Sequence, residues 1–220
     1  MSPLFFRPAA FCALLLAAAC GAPERASKTA ESIPSGQKVE TRADMILGAA
    51  DAPVTIIEYA SVTCPGCAQF NERVFPAIRE KYIDTGKVRL IFREFPTAPA
   101  EFSYIGSVLA RCAAEKGGTD AYFAVTDTLF RTQRAWIYGD DPKAELLKVA
   151  GQAGLDGAAF DACLKRQDLI DAINEGAKEA GETYGVTGTP TFIVNGEKAA
   201  LGTLEAFEAR IEEELANAAS

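Results

Sequence analysis

The 220-residue sequence contains no histidine. That absence removes the commonest nitrogen ligand for zinc, and no second C-x-x-C is present to complete a four-sulfur site. It also removes c-type haem attachment, which needs His directly after the second cysteine of a C-x-x-C; position 68 is Ala. Positive charge is scarce: 22 Lys and Arg face 30 Asp and Glu, a net charge of −8, with no basic stripe. Nucleic-acid binding, which depends on clustered Lys and Arg, is therefore excluded. The apolar run Ala9 to Ala19 covers 11 residues, too few to span a bilayer. There is no internal repeat, and no low-complexity block beyond residues 21–45.

What is present begins with an export signal. Arg7 supplies a positive n-region, the apolar run an h-region, and Ala17-Ala18-Ala19 a small-residue cleavage site, so residues 1–19 are expected to be a signal peptide. Leu16-Ala17-Ala18-Ala19-Cys20 also resembles a bacterial lipobox, departing from its strongest form at Ala17. Cys20 is then either lipidated, as a membrane tether, or a free terminal thiol. Cleavage there would leave a net charge of −9. Residues 20–45, rich in Ala, Ser, Glu, Lys and Gly, read as a flexible tether. Export places the folded part in a periplasmic or other extracytoplasmic compartment where disulfides persist.

Four cysteines remain in that part. Cys64-Pro65-Gly66-Cys67 follows the apolar run 54–59 and opens a helical pattern in which Cys67, Phe70, Val74 and Ile78 share one face. Two cysteines on a helix's first turn can close a small disulfide, and the first lies among unpaired N–H groups that favour a thiolate. Local pairing of Cys64 with Cys67 leaves Cys112 with Cys163 as a second bond; the alternative is two buried free thiols.

The remaining pattern gives the architecture. Val54 to Tyr59 reads as a strand buried on both faces, Val88 to Phe92 as a second, and Pro76 should kink the helix between them. Roughly eighty residues of helical periodicity follow, with a break at Gly117-Gly118. Thr191 to Val194, the turn Asn195-Gly196 and Lys198 to Leu201 form a hairpin, and Leu204, Phe207, Ile211 and Leu215 mark a final helix. An α/β fold is expected, a central sheet interrupted by an all-helical insertion: residues 46–98 and 183–220 form the sheet domain and 99–182 the insertion.

Two further residues stand out. Glu58 lies inside a buried strand six residues before Cys64, where a carboxyl is costly unless it has a partner or a role. Pointing at the sulfurs it could relay a proton to Cys67; at a sheet edge it would sit in water. Pro190, entering the third strand, is either an ordinary trans residue or a cis residue whose geometry exposes the Thr189 backbone to an extended peptide.

With these residues in place, the chain resembles the DsbA-like thiol–disulfide oxidoreductases of the thioredoxin superfamily. The resemblance runs from about residue 46 to the C-terminus. It rests on 48–55 (Gly-Ala-Ala-Asp-Ala-Pro-Val-Thr), Glu58-Tyr59-Ala60-Ser61, the Cys64–Cys67 motif, the helical insertion and Gly188-Thr189-Pro190-Thr191-Phe192. It implies a thioredoxin-like sheet, with Cys64 as nucleophile, Cys67 as resolving thiol and Glu58 as the buried acid beside it. Pro190 is implied as a cis-proline, Pro65, Gly66, Thr189 and Pro190 as the substrate-facing residues, and Cys112–Cys163 as a structural disulfide. The activity implied is introduction of disulfides into reduced exported proteins, with reoxidation by a quinone-linked membrane enzyme and no cofactor. Isomerase or reductase action at the same site is the alternative, and a lipid-tethered binding or chaperone domain with a merely structural C-x-x-C is a third. Many strongly oxidising relatives carry His next to the second cysteine, where this chain has Gly66. Without that imidazole, Cys64 should be less acidic and the protein a weaker oxidant than its His-bearing relatives. Thiolate absorbance of Cys64 against pH checks this, and a thiol as acidic as theirs would overturn it.

Overall fold

Five strands form one sheet in the order β1-β3-β2-β4-β5: β1 (Met45–Leu47), β2 (Val54–Ala60), β3 (Val88–Glu94), β4 (Thr191–Val194) and β5 (Glu197–Ala199). The computed structural model describes Met1 and residues 44–219. The leader at 1–19, Cys20 and the tether through residue 43 lie outside the described residues. The fold takes in the tether's last two positions. Asp44 holds Arg93 through two hydrogen bonds of 2.8 and 2.9 Å, and Met45, fully buried, pairs with Phe92.

β2 is central, parallel to β3 and antiparallel to β4. Its β-branched, apolar sequence suits burial on both faces. Alternation sends Ile56 toward a helical layer with Leu90 and Phe192, and Ile57 toward the opposite layer with Tyr59, Ile91 and Ile193. The first layer begins with α1 (Pro65–Arg73) and α2 (Phe75–Ile78). The kink expected from Pro76 is a break at Val74 (φ −112°), because a ring at position 76 cannot continue the hydrogen-bond ladder. A π-helical turn, Arg79–Ile83, then leads to β3, with Asp84 N–H donating to Arg79 O at 2.8 Å.

The insertion opens with α3 (Ala100–Arg131), interrupted at Gly118 (φ 75°, ψ −168°), a conformation open essentially to glycine alone. The helix expected to end at Gly117-Gly118 therefore resumes at once. The short α4 (Gln133–Tyr138), not evident in the sequence, buries Trp136 completely. α5 (Pro142–Gln152) and α6 (Gly157–Cys163) follow, capped by Asp141 and Asp156. α7 (Gln167–Tyr184) ends on left-handed Gly185 and covers the second face of the sheet.

At the hairpin, Asn195 (φ 46°) and Gly196 (φ 89°) form the two-residue turn. This turn pairs Val194 directly with Glu197, so the return strand starts one residue before the expected Lys198 and ends at Ala199 rather than Leu201. α8 (Leu204–Ala218), capped by Thr203, completes the first layer. There Phe70, Phe192 and Phe207 meet with ring centroids 4.7 to 5.1 Å apart, locking α1 to β4 and α8.

Sheet and insertion share polar contacts as well as core. Arg111 of α3 donates to both oxygens of Glu94 at 2.7 and 2.6 Å, and Tyr122, beyond the Gly118 break, donates to Glu94 at 2.9 Å. All three are buried. Cys112 and Cys163 are disulfide-bonded, tying α3 to α6 across 51 residues. Closing a loop of that length restricts the unfolded chain by about 4 kcal/mol. The double variant C112A/C163A should lose about 2–4 kcal/mol in denaturant unfolding under oxidising conditions. A loss below about 1 kcal/mol would show that the bond does not stabilise through the unfolded state.

Candidate active site

The site is the N-terminal end of α1. Cys64 is its N-cap, in extended conformation (φ −78°, ψ 121°), and its sulfur accepts the Cys67 backbone N–H at 3.3 Å. Pro65 occupies the first turn, where its missing N–H leaves no donor unpaired. The Cys64 thiol donates to the Thr189 carbonyl at 3.3 Å, and the Thr189–Pro190 bond is cis. Gly66 makes this approach possible: a Cβ there would lie 3.1 Å from Pro190 Cδ. Thus Cys64, Gly66, Thr189 and Pro190, far apart in sequence, meet at one place.

Cys64 and Cys67 are free thiols with different environments. Cys64 retains 8% exposure; Cys67 has none. The Cys64 thiol is lowered to about 6. The Cys67 side chain hydrogen-bonding to it is the leading cause, with Thr189 and the N–H groups of Cys67 and Gly66 adding and burial opposing. Burial pushes the Cys67 thiol far above its ordinary range, and the neighbouring Cys64 and Glu58 push it further. At neutral pH one thiol is therefore set to ionise and the other to hold its proton.

Glu58 does not lie at a sheet edge. It sits in central β2, 3% exposed, with Phe92 and Phe192 opposite it on the flanking strands. Its Oε1 has no hydrogen-bond partner, and its carboxyl is raised to about 8 by burial first and by Cys64 second. It shares its face of β2 with Ile56, beneath α1. It also lines a cavity of about 500 Å³ between sheet and insertion, with Asn71, Phe92, Phe123 and Thr126. Neither cysteine lines that cavity. The carboxyl thus acts electrostatically on the sulfurs while facing a separate opening.

The turn before Cys64 is held by contacts the sequence did not single out. The Ser61 hydroxyl pairs with those of Thr63 and Ser103 at 2.8 Å each. Gln133 Nε2 donates to the carbonyls of Val62 (2.8 Å) and Cys64 (3.0 Å). Hydroxyls at 61 and 63 were a local signal; Gln133, on a distant helix, had none. Cys112–Cys163 belongs to the insertion and takes no part in the site. Among the described residues, no three His, Cys, Asp or Glu side chains converge as a metal site would require.

Comparison with known proteins agrees with this geometry. Residues 40–213 match a thioredoxin family model. A Rickettsia typhi protein provisionally named a protein-disulfide oxidoreductase is 29% identical over 153 residues, covering 70% of this chain and 55% of that protein. The chain thus spans about half the length of the curated Rickettsia relatives it matches. A Bacillus cereus protein provisionally named disulfide bond formation protein D is 30% identical over 68% of this chain and 69% of its own length. Among solved structures, Wolbachia pipientis alpha-DsbA1 is 32% identical with a TM-score of 0.71, covering 80% of this chain and 92% of that one.

The titrations have definite signs. The folded value of Cys64 lies below its ordinary 9, so the reduced form gains stability as pH rises from about 6 toward 9. Glu58 lies above its ordinary 4.5, so its charge costs stability that begins above pH 4.5 and is complete above about 8. Thiolate absorbance of the reduced protein should rise with a midpoint near pH 6 and vanish in Cys64→Ser. Glu58→Gln should stabilise the reduced protein increasingly between pH 4.5 and 8, by at most about 5 kcal/mol. A gain that does not grow with pH would contradict a proton-holding carboxyl.

Proposed function

Since the chain belongs to the DsbA-like thiol–disulfide oxidoreductases of the thioredoxin superfamily, we propose that it introduces disulfides into reduced exported proteins through Cys64 and Cys67. The observation that carries this is the division between the two thiols: one N-capped and acidic, its neighbour buried and proton-holding. That division favours the dithiol over the disulfide, which makes the disulfide a good oxidant of other thiols.

In the oxidised enzyme, a substrate thiolate attacks the Cys64 sulfur. The Cys64–Cys67 bond breaks, a substrate–Cys64 bond forms, and its electron pair leaves on Cys67. Glu58, largely protonated at neutral pH, supplies the proton that Cys67 takes, and regains one from solvent through the cavity it lines. A second substrate thiolate then attacks the substrate sulfur of the mixed disulfide. Cys64 departs as a stabilised thiolate, the substrate leaves oxidised, and the enzyme is a dithiol. The Thr189 backbone, held at Cys64 beside Pro190, offers an extended substrate a hydrogen-bonding edge, with Pro65 and Gly66 on the other side.

Regeneration requires an oxidant for the dithiol, and a quinone-linked membrane reoxidase fits that need. The leader read in residues 1–19 supports an extracytoplasmic, periplasmic setting, and Cys20 a lipid tether. The Cys112–Cys163 bond is of the kind such compartments maintain. The chemistry itself calls for no bound cofactor.

The reaction is tested by refolding. Reduced substrate should gain disulfides, and scrambled substrate should rearrange more slowly; the reverse ranking would make the protein an isomerase. Cys67→Ala should accumulate a mixed disulfide through Cys64, and Cys64→Ser should be inactive. Glu58→Gln should slow exchange about 10²-fold, the lower range of general acid–base effects. Refolding assistance that is the same in wild type and Cys64→Ser, with no gain or rearrangement of disulfides in either, would leave a non-catalytic binding domain as the reading.

A further inference from the structure

The turn carrying Cys64 is not held by its own strand. β2 ends at Ala60, and Ser61, Val62 and Thr63 cross to the helix start as buried residues. Besides bonds within the turn itself, they are gripped by the insertion. Gln133 Nε2 donates to Val62 O at 2.8 Å and Cys64 O at 3.0 Å. Both acceptors are carbonyls, so only the amide nitrogen can face them. The Cys64 carbonyl also accepts the Ala68 N–H at 3.1 Å, the first bond of α1. Gln133 thus fixes, from outside the helix, the peptide leading from Cys64 into α1.

Gln133 is itself anchored. One turn on, the indole of fully buried Trp136 donates to Leu129 O at 2.8 Å and meets the Phe102 ring at 6.0 Å. Gly106 lets Val62 come close. A Cβ at 106 would fall 2.7 Å from Val62 Cγ2 and 3.5 Å from Trp136 Cη2. Val62, Gly106 and Trp136 are therefore packed against one another, and Gln133 reaches across from a fixed base.

We propose that Gln133 is a positioning residue for the Cys64 thiolate: by clamping the Val62 and Cys64 carbonyls it keeps the Cys64 sulfur facing the Cys67 N–H. The inference rests on the thiol–disulfide reading and gives the helical insertion a direct hold on the acidity of the nucleophile. A sulfur that meets its N–H donors for less of the time is a poorer thiolate, and a poorer thiolate makes a weaker oxidant.

The test uses the full chain. Gln133→Met keeps length and helix propensity but removes both donors. The Cys64 titration midpoint, from thiolate absorbance, should rise by about half a unit or more, and the glutathione equilibrium constant should shift about threefold or more toward the oxidised protein. Gln133→Glu, which turns an acceptor and a negative charge on two carbonyls, should shift both further in the same direction. Gln133→Lys, which restores a donor, should leave the midpoint at or below that of wild type. An unchanged midpoint and equilibrium constant in Gln133→Met, with only a lower melting temperature, would reduce Gln133 to a structural role. Should that variant not fold, Gln133→Asn, whose amide is one methylene too short, must show the rise instead; an unchanged midpoint there overturns the proposal. Wild type is the reference for the underlying reading. If it forms no glutathione-reducible Cys64–Cys67 bond, the exchange chemistry fails; if it does and the variants match it, only the role of Gln133 fails.

Discussion

A sulfur occupies the position where helices ordinarily place the oxygen of Ser, Thr, Asp or Asn. Cys64 Sγ accepts the Cys67 N–H and so caps α1. In the dithiol this cap can carry a full negative charge against the positive end of the helix; in the disulfide it carries none. The interaction is therefore stronger in one redox state than the other, and that difference favours the dithiol. The neighbouring structure preserves the cap. Pro65 adds no unpaired donor, Gly66 lets Pro190 lie against the turn, and the Phe70–Phe192–Phe207 cluster keeps α1 on β4, the strand that follows Pro190.

Depth separates the roles of the ionisable groups. Cys64 keeps slight exposure and several donors; Cys67 is sealed; Glu58 lies in the middle strand between two phenylalanines with an unpartnered oxygen. Desolvation acts against the thiolate at Cys67 and the carboxylate at Glu58, and a charge on either raises the cost of a charge on the other. A negative charge is thus tolerated at Cys64 and resisted below it. A change of charge at Cys64 is therefore linked to the protonation of the sealed Cys67 and Glu58 beneath it. The cavity that Glu58 lines opens on a side that does not include the cysteines.

Much of this was legible in sequence because it is local or periodic. The Cys64–Cys67 spacing, the apolar runs of β2 and β3, Asn195-Gly196 and the helical insertion all express short-range rules, and each appears within a residue or two of where it was expected. Glu58 was legible for another reason, since a carboxyl inside an apolar β-branched run conflicts with its surroundings, and such conflicts mark sites. The exact start of β5 followed from turn geometry that composition does not encode. Resumption of α3 after Gly118 depends on tertiary contacts, including the Tyr122–Glu94 hydrogen bond, that overrule a local break. α4 is too short to show periodicity, and its anchor is a single tryptophan. Gln133 was illegible because its partners are backbone carbonyls some seventy positions earlier, and carbonyls leave no trace in a sequence.

The insertion is accordingly more than a lid over one face. Val62, Cys64, Cys67 and Phe92 share a single apolar cluster with Leu109, Tyr122, Leu129 and Trp136, so the site's own core is completed by residues the sheet domain does not supply. Polar contacts repeat the pattern: Ser103 and Gln133 hold the turn, and Arg111 and Tyr122 hold the end of β3 through Glu94. A sheet with an exposed Cys64 turn would leave the sulfur's orientation to a mobile loop. Enclosing that turn between α3 and α4 fixes its carbonyls, excludes water from Cys67, and leaves Cys64 only slightly exposed beside Pro190. The insertion thus converts a general helix-terminus effect into a defined asymmetry between two thiols.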